Sequence, residues 1–131
     1  PPSFRFAVKV PKAITHERRL QGADDLLAAF LAEAKGLGER LGCLLVQLPP
    51  SLALDVASAG DFLAALRARH AGAVALEPRH ASWFTPAGDA LLERHVVARV
   101  AADPAPVPAA AEPGGVRDVV YWRLHGSPRM Y

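Results

Sequence analysis

The chain has 131 residues, 51% of them hydrophobic and 21% charged, with a formal net charge of +2. That length and balance suit one soluble globular domain with a real core, and exclude a disordered chain or two ordinary domains. No Lys/Arg run exceeds Arg18-Arg19 and no apolar run nears the ~18 residues of a membrane span, so neither a strongly basic nucleic-acid protein nor a membrane protein is expected.

In chain order, a strand is expected over Phe4–Val10, rich in Phe and Val. A helix follows, capped by Asp24 or Asp25, with Leu26, Leu27, Phe30, Leu31, Ala34, Leu37 and Leu41 on one apolar stripe until Gly42. A second strand fits Leu44–Leu48, and Asp61–His70 reads as a helix with Ser58 and Asp61 spaced as a capping box and Gly72 as terminator. Ala73–Glu77 is a third strand, Ala87–His95 a third helix, and Val96–Ala102 a fourth strand. Asp103–Arg117, rich in Pro, Ala and Gly, reads as a long loop before a fifth strand over Val119–Leu124. Strands alternating with helices predict an α/β fold with a parallel sheet.

Alternation along each strand assigns faces. Lys9 shares a face with Arg5 and Ala7; Gln47 with Cys43 and Leu45; Glu77 and Arg79 with Ala75; Asp103 with Arg99 and Ala101; and His125 with Tyr121 and Arg123. Each strand thus carries one apolar face, expected beneath the helices, and one that turns polar toward its C-terminal end. In parallel α/β proteins ligands bind at those ends, so Lys9, Gln47, Glu77, Arg79, Asp103, Arg123 and His125 are expected to converge. The plainer alternatives are a structural Glu77–Arg79 or Glu77–Arg123 ion pair, Asp103 as a turn starter, and Trp83 and Trp122 as packing residues. His70 and His95 fall at helix ends and receive no chemistry.

Cys43 is the single cysteine, so no internal disulfide is expected, and a reducing, cytoplasmic location follows by default. Both ends of the chain read as cut from a larger domain.

The words KVPKAITHERRL, LVQLPPS, ALEPRHASWF and YWRLHG resemble the DUF72 (YecE-like) family, in the same order and across nearly the whole chain. The match runs through Lys9, Pro11, Thr15 and His16; Gln47–Ser51; Glu77, Arg79, His80, Ser82 and Trp83; and Arg123, His125 and Gly126. Pro78 departs from the pattern, where an aromatic residue is more usual. The resemblance implies a TIM-like α/β barrel of which this chain holds about five of eight parallel strands with helical crossovers. It implies no reaction, since the family's function is not established. An isolated segment of this kind is expected to expose two sheet edges and to fold poorly alone.

Two functions compete on these residues. In the first, a hydrolase or phosphodiesterase holds a phosphate with Lys9, Arg79 and Arg123, uses Glu77 or Asp103 as general base, and uses His80 or His125 as proton donor. His16, Gln47 and Trp83 complete its ligand-binding set. In the second, the same basic mouth and its tryptophans form a non-catalytic module for a small anion or a nucleic acid. Glu77, His80, Asp103 and His125 are types that could also hold a metal, but no recognised zinc spacing is present. No cofactor is assigned.

Overall fold

The structure, a computed structural model, describes residues 5–103, 114–115 and 122–124. Its strands are β1 (Phe6–Lys9), β2 (Leu41–Gln47), β3 (Val74–Glu77), β4 (Ala98–Arg99), β5 (Ala101–Asp103), β6 (Gly114–Gly115) and β7 (Trp122–Leu124). The helices are α1 (Asp24–Ala34), α2 (Val56–Arg69) and α3 (Pro86–Arg94). β1 to β4 run parallel in sequence order, and β6 ends the row antiparallel to β4. β5 pairs in parallel with β7. Between β4 and β5 the Val100 amide donates to the Leu76 carbonyl at 2.9 Å, so the chain still follows β3 across the break. The fold is therefore mixed α/β, with parallel strands and helical crossovers as the alternation predicts; among the described residues β1 lies at one edge of the five-stranded sheet, which is not closed.

The crossovers pack on one face. Leu27 and Leu31 of α1, Phe62, Leu63 and Leu66 of α2, and Leu91 and Leu92 of α3 bury against Leu44, Val46, Val74 and Leu76. Each fully buried leucine contributes about 2 kcal/mol of transfer free energy, so this face sets where the helices lie. Cys43, Leu45, Ala75, Ala98 and Val100 form a second cluster on the opposite face. Cys43 is free and buried, and burial pushes its thiol pKa up, as befits a core residue.

Local chemistry explains where the element ends differ from expectation. α1 stops at Ala34 rather than Leu41 because Gly36 and Gly38 follow; Gly38 sits at φ 54, in tight turns over Lys35–Arg40 that release Leu41 into β2. α2 begins at Val56, ahead of the expected start, because the Asp55 carboxylate accepts the Ala57 and Ser58 amides. Thr85 caps α3 through the Gly88 amide, with Pro86 at its first position. Val96 ends that helix at φ 58, largely exposed, and delays the fourth strand to Ala98.

One face assignment is reversed. The register pairs Leu76 with Arg99 and Ala75 with Ala98, so Ala98 and Val100, rather than Arg99, share the Glu77 face. Arg99 is buried on the helix side, where its guanidinium meets Asp89 of α3 at 2.6 Å and lies 4.8 Å from the centre of the Phe84 ring. Within the expected long loop Asp103–Arg117, Asp103 ends β5 and Gly114 and Gly115 form β6 beside this arginine; Phe4, residues 104–113 and 116–117, and Val119–Tyr121 lie outside the described residues.

Gly115 adopts φ +63, and a Cβ there would collide with the Val97 carbonyl oxygen. Gly115→Ala is expected to cost about 2–3 kcal/mol in urea unfolding. Gly36→Ala, with open space around its Cα, should be close to neutral or stabilising in the same measurement.

Candidate functional site

The register builds the site. Lys9 pairs with Leu45 and Leu45 with Ala75, while Gln47 pairs with Glu77 one step further toward the C-terminal ends. Lys9, Gln47 and Glu77 therefore occupy one face of three adjacent strands, opposite the helices. Glu77 is 1% exposed. A carboxylate so removed from water persists only with partners, and its Oε2 accepts from Gln47 Nε2 and from the Arg79 guanidinium, each at 3.5 Å. Arg79 keeps 27% of its side chain exposed, so one end of this pair is dry and the other reaches solvent.

The loops after β1, β2 and β3 are tied to one another above these residues. After β1 a wide helical turn over Ala13–Glu17 buries Thr15, whose Oγ1 lies 2.7 Å from His16 Nδ1. Burial first, then the charges of Lys12 and Lys9, holds the His16 pKa below its ordinary value, which places a neutral imidazole beside Lys9. Arg19 and Leu20 follow in left-handed conformations, φ 50 and 65. Each costs about 1 kcal/mol or more, and the turn is held by Arg19 donating to Ser51 Oγ and carbonyl at 3.0 and 3.1 Å. The β2 loop is fastened to the β3 loop by Leu54 N–H donating to Ser82 Oγ at 2.7 Å and by the Trp83 indole N–H donating to the Leu52 carbonyl at 3.0 Å. His80 opens a short turn over Ala81–Trp83, its Nδ1 accepting from the Ser82 amide at 3.2 Å.

Of the expected site residues, the structure groups Lys9, Gln47, Glu77 and Arg79 on one face, with His16 near Lys9 and His80 on the adjoining loop. Trp83 is placed in the helix-side core, 1% exposed. The backbones of Asp103 and Arg123 lie in β5 and β7, where Ala102 pairs with Arg123 and Asp103 with Leu124; the side chains of both, and the whole of His125, lie outside the described residues. Among the described residues no group of three or more His, Cys, Asp or Glu is placed to hold a metal, and no helix is long and apolar enough to cross a membrane. Sequence reasoning did not single out the loop ties made by Arg19 and Ser82. The signal for Ser82 was its place two residues after His80, a spacing from which a hydroxyl can bond back within a turn.

A family model described as "Protein of unknown function DUF72" matches residues 1–131. The chain belongs to the DUF72 family. Its curated relatives include UPF0759 protein YecE of Escherichia coli K12 and of E. coli O157:H7, each 41% identical over 46 residues, covering 35% of this chain and 17% of the relative. The crystal structure of a DUF72 family protein from Thermotoga maritima superposes with a TM-score of 0.74 at 27% identity, over 98% of this chain and 51% of that one. The chain thus spans about half the length of its structural neighbour and a smaller part of the curated relatives. Within the DUF72 chain, the grouped Lys9, Gln47, Glu77 and Arg79 come from three of the four words that carried the resemblance.

Proposed function

We propose that this DUF72 chain contributes an anion site at the C-terminal strand ends, and that the site belongs to a hydrolase acting on a phosphate-bearing substrate. The observation that carries this reading is the buried Glu77 carboxylate between Gln47 and the partly exposed Arg79, one step beyond Lys9 on the same face. In the proposed reaction Glu77 takes a proton from water as the water oxygen bonds to phosphorus. The ester oxygen leaves with the phosphorus–oxygen bond pair and takes a proton from a histidine, for which His80 and His125 are the candidates. Arg79 and Lys9, with Arg123, offset the charge on the phosphoryl oxygens. Asp103 remains the second candidate base. The burial of Trp83 favours a small anion over a stacked nucleic-acid base. The same reading takes the parallel strands as part of a closed α/β barrel in the whole protein, and the free, buried Cys43 suits a cytoplasmic location.

Titration of inorganic phosphate, followed by calorimetry, tests the site. The wild-type protein is expected to bind, and Arg79→Gln and Lys9→Gln each to weaken binding about tenfold, the loss of one charge-assisted hydrogen bond. Equal affinity in the wild type and both variants would remove the anion reading.

A further inference from the structure

We infer that Ser82 is a positioning residue that holds His80 as a neutral imidazole with its proton on Nε2, so that the ring offers the site a hydrogen-bond donor. Ser82 Oγ accepts from Leu54 N–H at 2.7 Å, and the same oxygen lies 2.9 Å from His80 Nδ1. The Ser82 backbone N–H also donates to Nδ1, at 3.2 Å. A backbone amide can only donate, so Nδ1 must present a lone pair to it. A proton on Nδ1 would face that N–H directly. The hydroxyl agrees: having accepted from Leu54, it turns its own hydrogen onto Nδ1. Neutral imidazole carries one N–H, which is then on Nε2.

The arrangement spans two loops. Leu54 belongs to the loop after β2, and Ser82 and His80 to the loop after β3, so docking of the first loop on the second orients the ring. A neutral donor suits an anion site that already holds the cations Arg79 and Lys9, because it adds a hydrogen bond without a further positive charge to repel them. It also gives His80 its part in the proposed reaction, in which the Nε2–H hydrogen-bonds to the anion. This assignment of His80 to the anion rests on the proposed anion site; the tautomer does not.

The test is nitrogen NMR of the intact protein labelled with 15N-histidine, with the His80 signals identified by their loss in His80→Gln. Above neutral pH the expected pattern is an unprotonated Nδ1 and a protonated Nε2. Ser82→Ala, which keeps the backbone N–H but removes the hydroxyl, should move both signals part of the way toward the average of mixed tautomers, whereas Ser82→Thr, which keeps the hydroxyl, should restore them. A purely structural Ser82 would change stability in the alanine variant and leave the tautomer signals unmoved, which would overturn the inference. Protonated Nδ1 in the wild type would overturn it as well. Added inorganic phosphate should then shift the Nε2–H signal in the wild type, and shift it at least several-fold less in Arg79→Gln. The expected tautomer with no phosphate shift would sustain the Ser82 lock and defeat the anion site, so the two ideas fail separately.

Discussion

Replacing Arg67 by methionine is expected to lower the midpoint of thermal unfolding by about 10 °C, corresponding to a loss of about 3 kcal/mol. Chain leaving a helix carries carbonyls without intrahelical partners, and Arg67 collects carbonyls at and just beyond the C-terminal ends of two helices. From the last turn of α2 its Nε donates to the His95 carbonyl at 2.8 Å, and its terminal nitrogens reach the carbonyls of His70, Gly72 and Val96. One planar cation thus closes the C-terminal ends of α2 and α3 and fixes the entry into β3. Methionine retains the stem and leaves these oxygens to water or to nothing. Lysine, a point charge without the fork, should recover only part of the loss. A fall of less than about 2 °C in Arg67→Met would show that water satisfies the same carbonyls equally well.

The same cluster predicts a pH dependence. Burial above all, then the charge of Arg67, holds the His70 pKa below its ordinary value; for His95 the order is burial, Arg94 and Arg67. The unfolded chain takes up these protons near pH 6.5, while the folded chain takes them up only at lower pH. Stability is therefore full above the unfolded value, begins to fall as the pH drops through about 6.5, and continues falling until the folded values are passed. His16, lowered by burial, Lys12 and Lys9, contributes with the same sign. Urea midpoints at about pH 7.5 and about pH 5.5 should differ in the wild type and differ less in Arg67→Met, which removes one source of repulsion.

Much of the scaffold was legible because it rests on short-range rules. Short runs rich in Val, Leu or aromatics, bounded by Gly, Pro or polar residues, located β1 to β3, and the 3.6-residue stripe located α1, since burial of those faces dominates the energetics. Boundaries were harder to read. Asp55 caps α2 from a position before its apolar stripe begins, and the glycines at 36 and 38 end α1 within a pattern that continues to Leu41. Parity correctly grouped Lys9, Gln47 and Glu77. It put Arg99 on the wrong side, because a strand's face depends on the residue at which the preceding turn releases it. Left-handed Val96 makes that choice, and a β-branched residue carries no sequence sign of such a conformation. The loop ties were illegible for another reason: Arg19 with Ser51 and Leu54 with Ser82 join segments about 30 residues apart, which no local pattern encodes.

Glu77→Gln should separate chemistry from structure at the site. On the proposed reading it lowers turnover of a phosphoester probe such as p-nitrophenyl phosphate at least a hundredfold, the loss of a general base, while phosphate affinity changes less than tenfold. The amide keeps the side chain's shape, and its oxygen can still accept from Gln47 or Arg79. Arg79 retains access to water through its exposed face. The stability change should therefore stay within about 1 kcal/mol in either direction, since neutralising a buried charge removes both an attraction and a desolvation cost. A structural ion pair behaves differently. If Glu77 and Arg79 serve only to clamp the end of β3, the double exchange Glu77→Arg with Arg79→Glu should recover much of the stability lost in Glu77→Arg and leave phosphate binding intact. At an anion site the exchange puts a carboxylate where the guanidinium met the phosphate, so binding should disappear even where the fold survives. Turnover within threefold of wild type in Glu77→Gln would take the base role from Glu77 and leave Asp103 as the carboxylate to test.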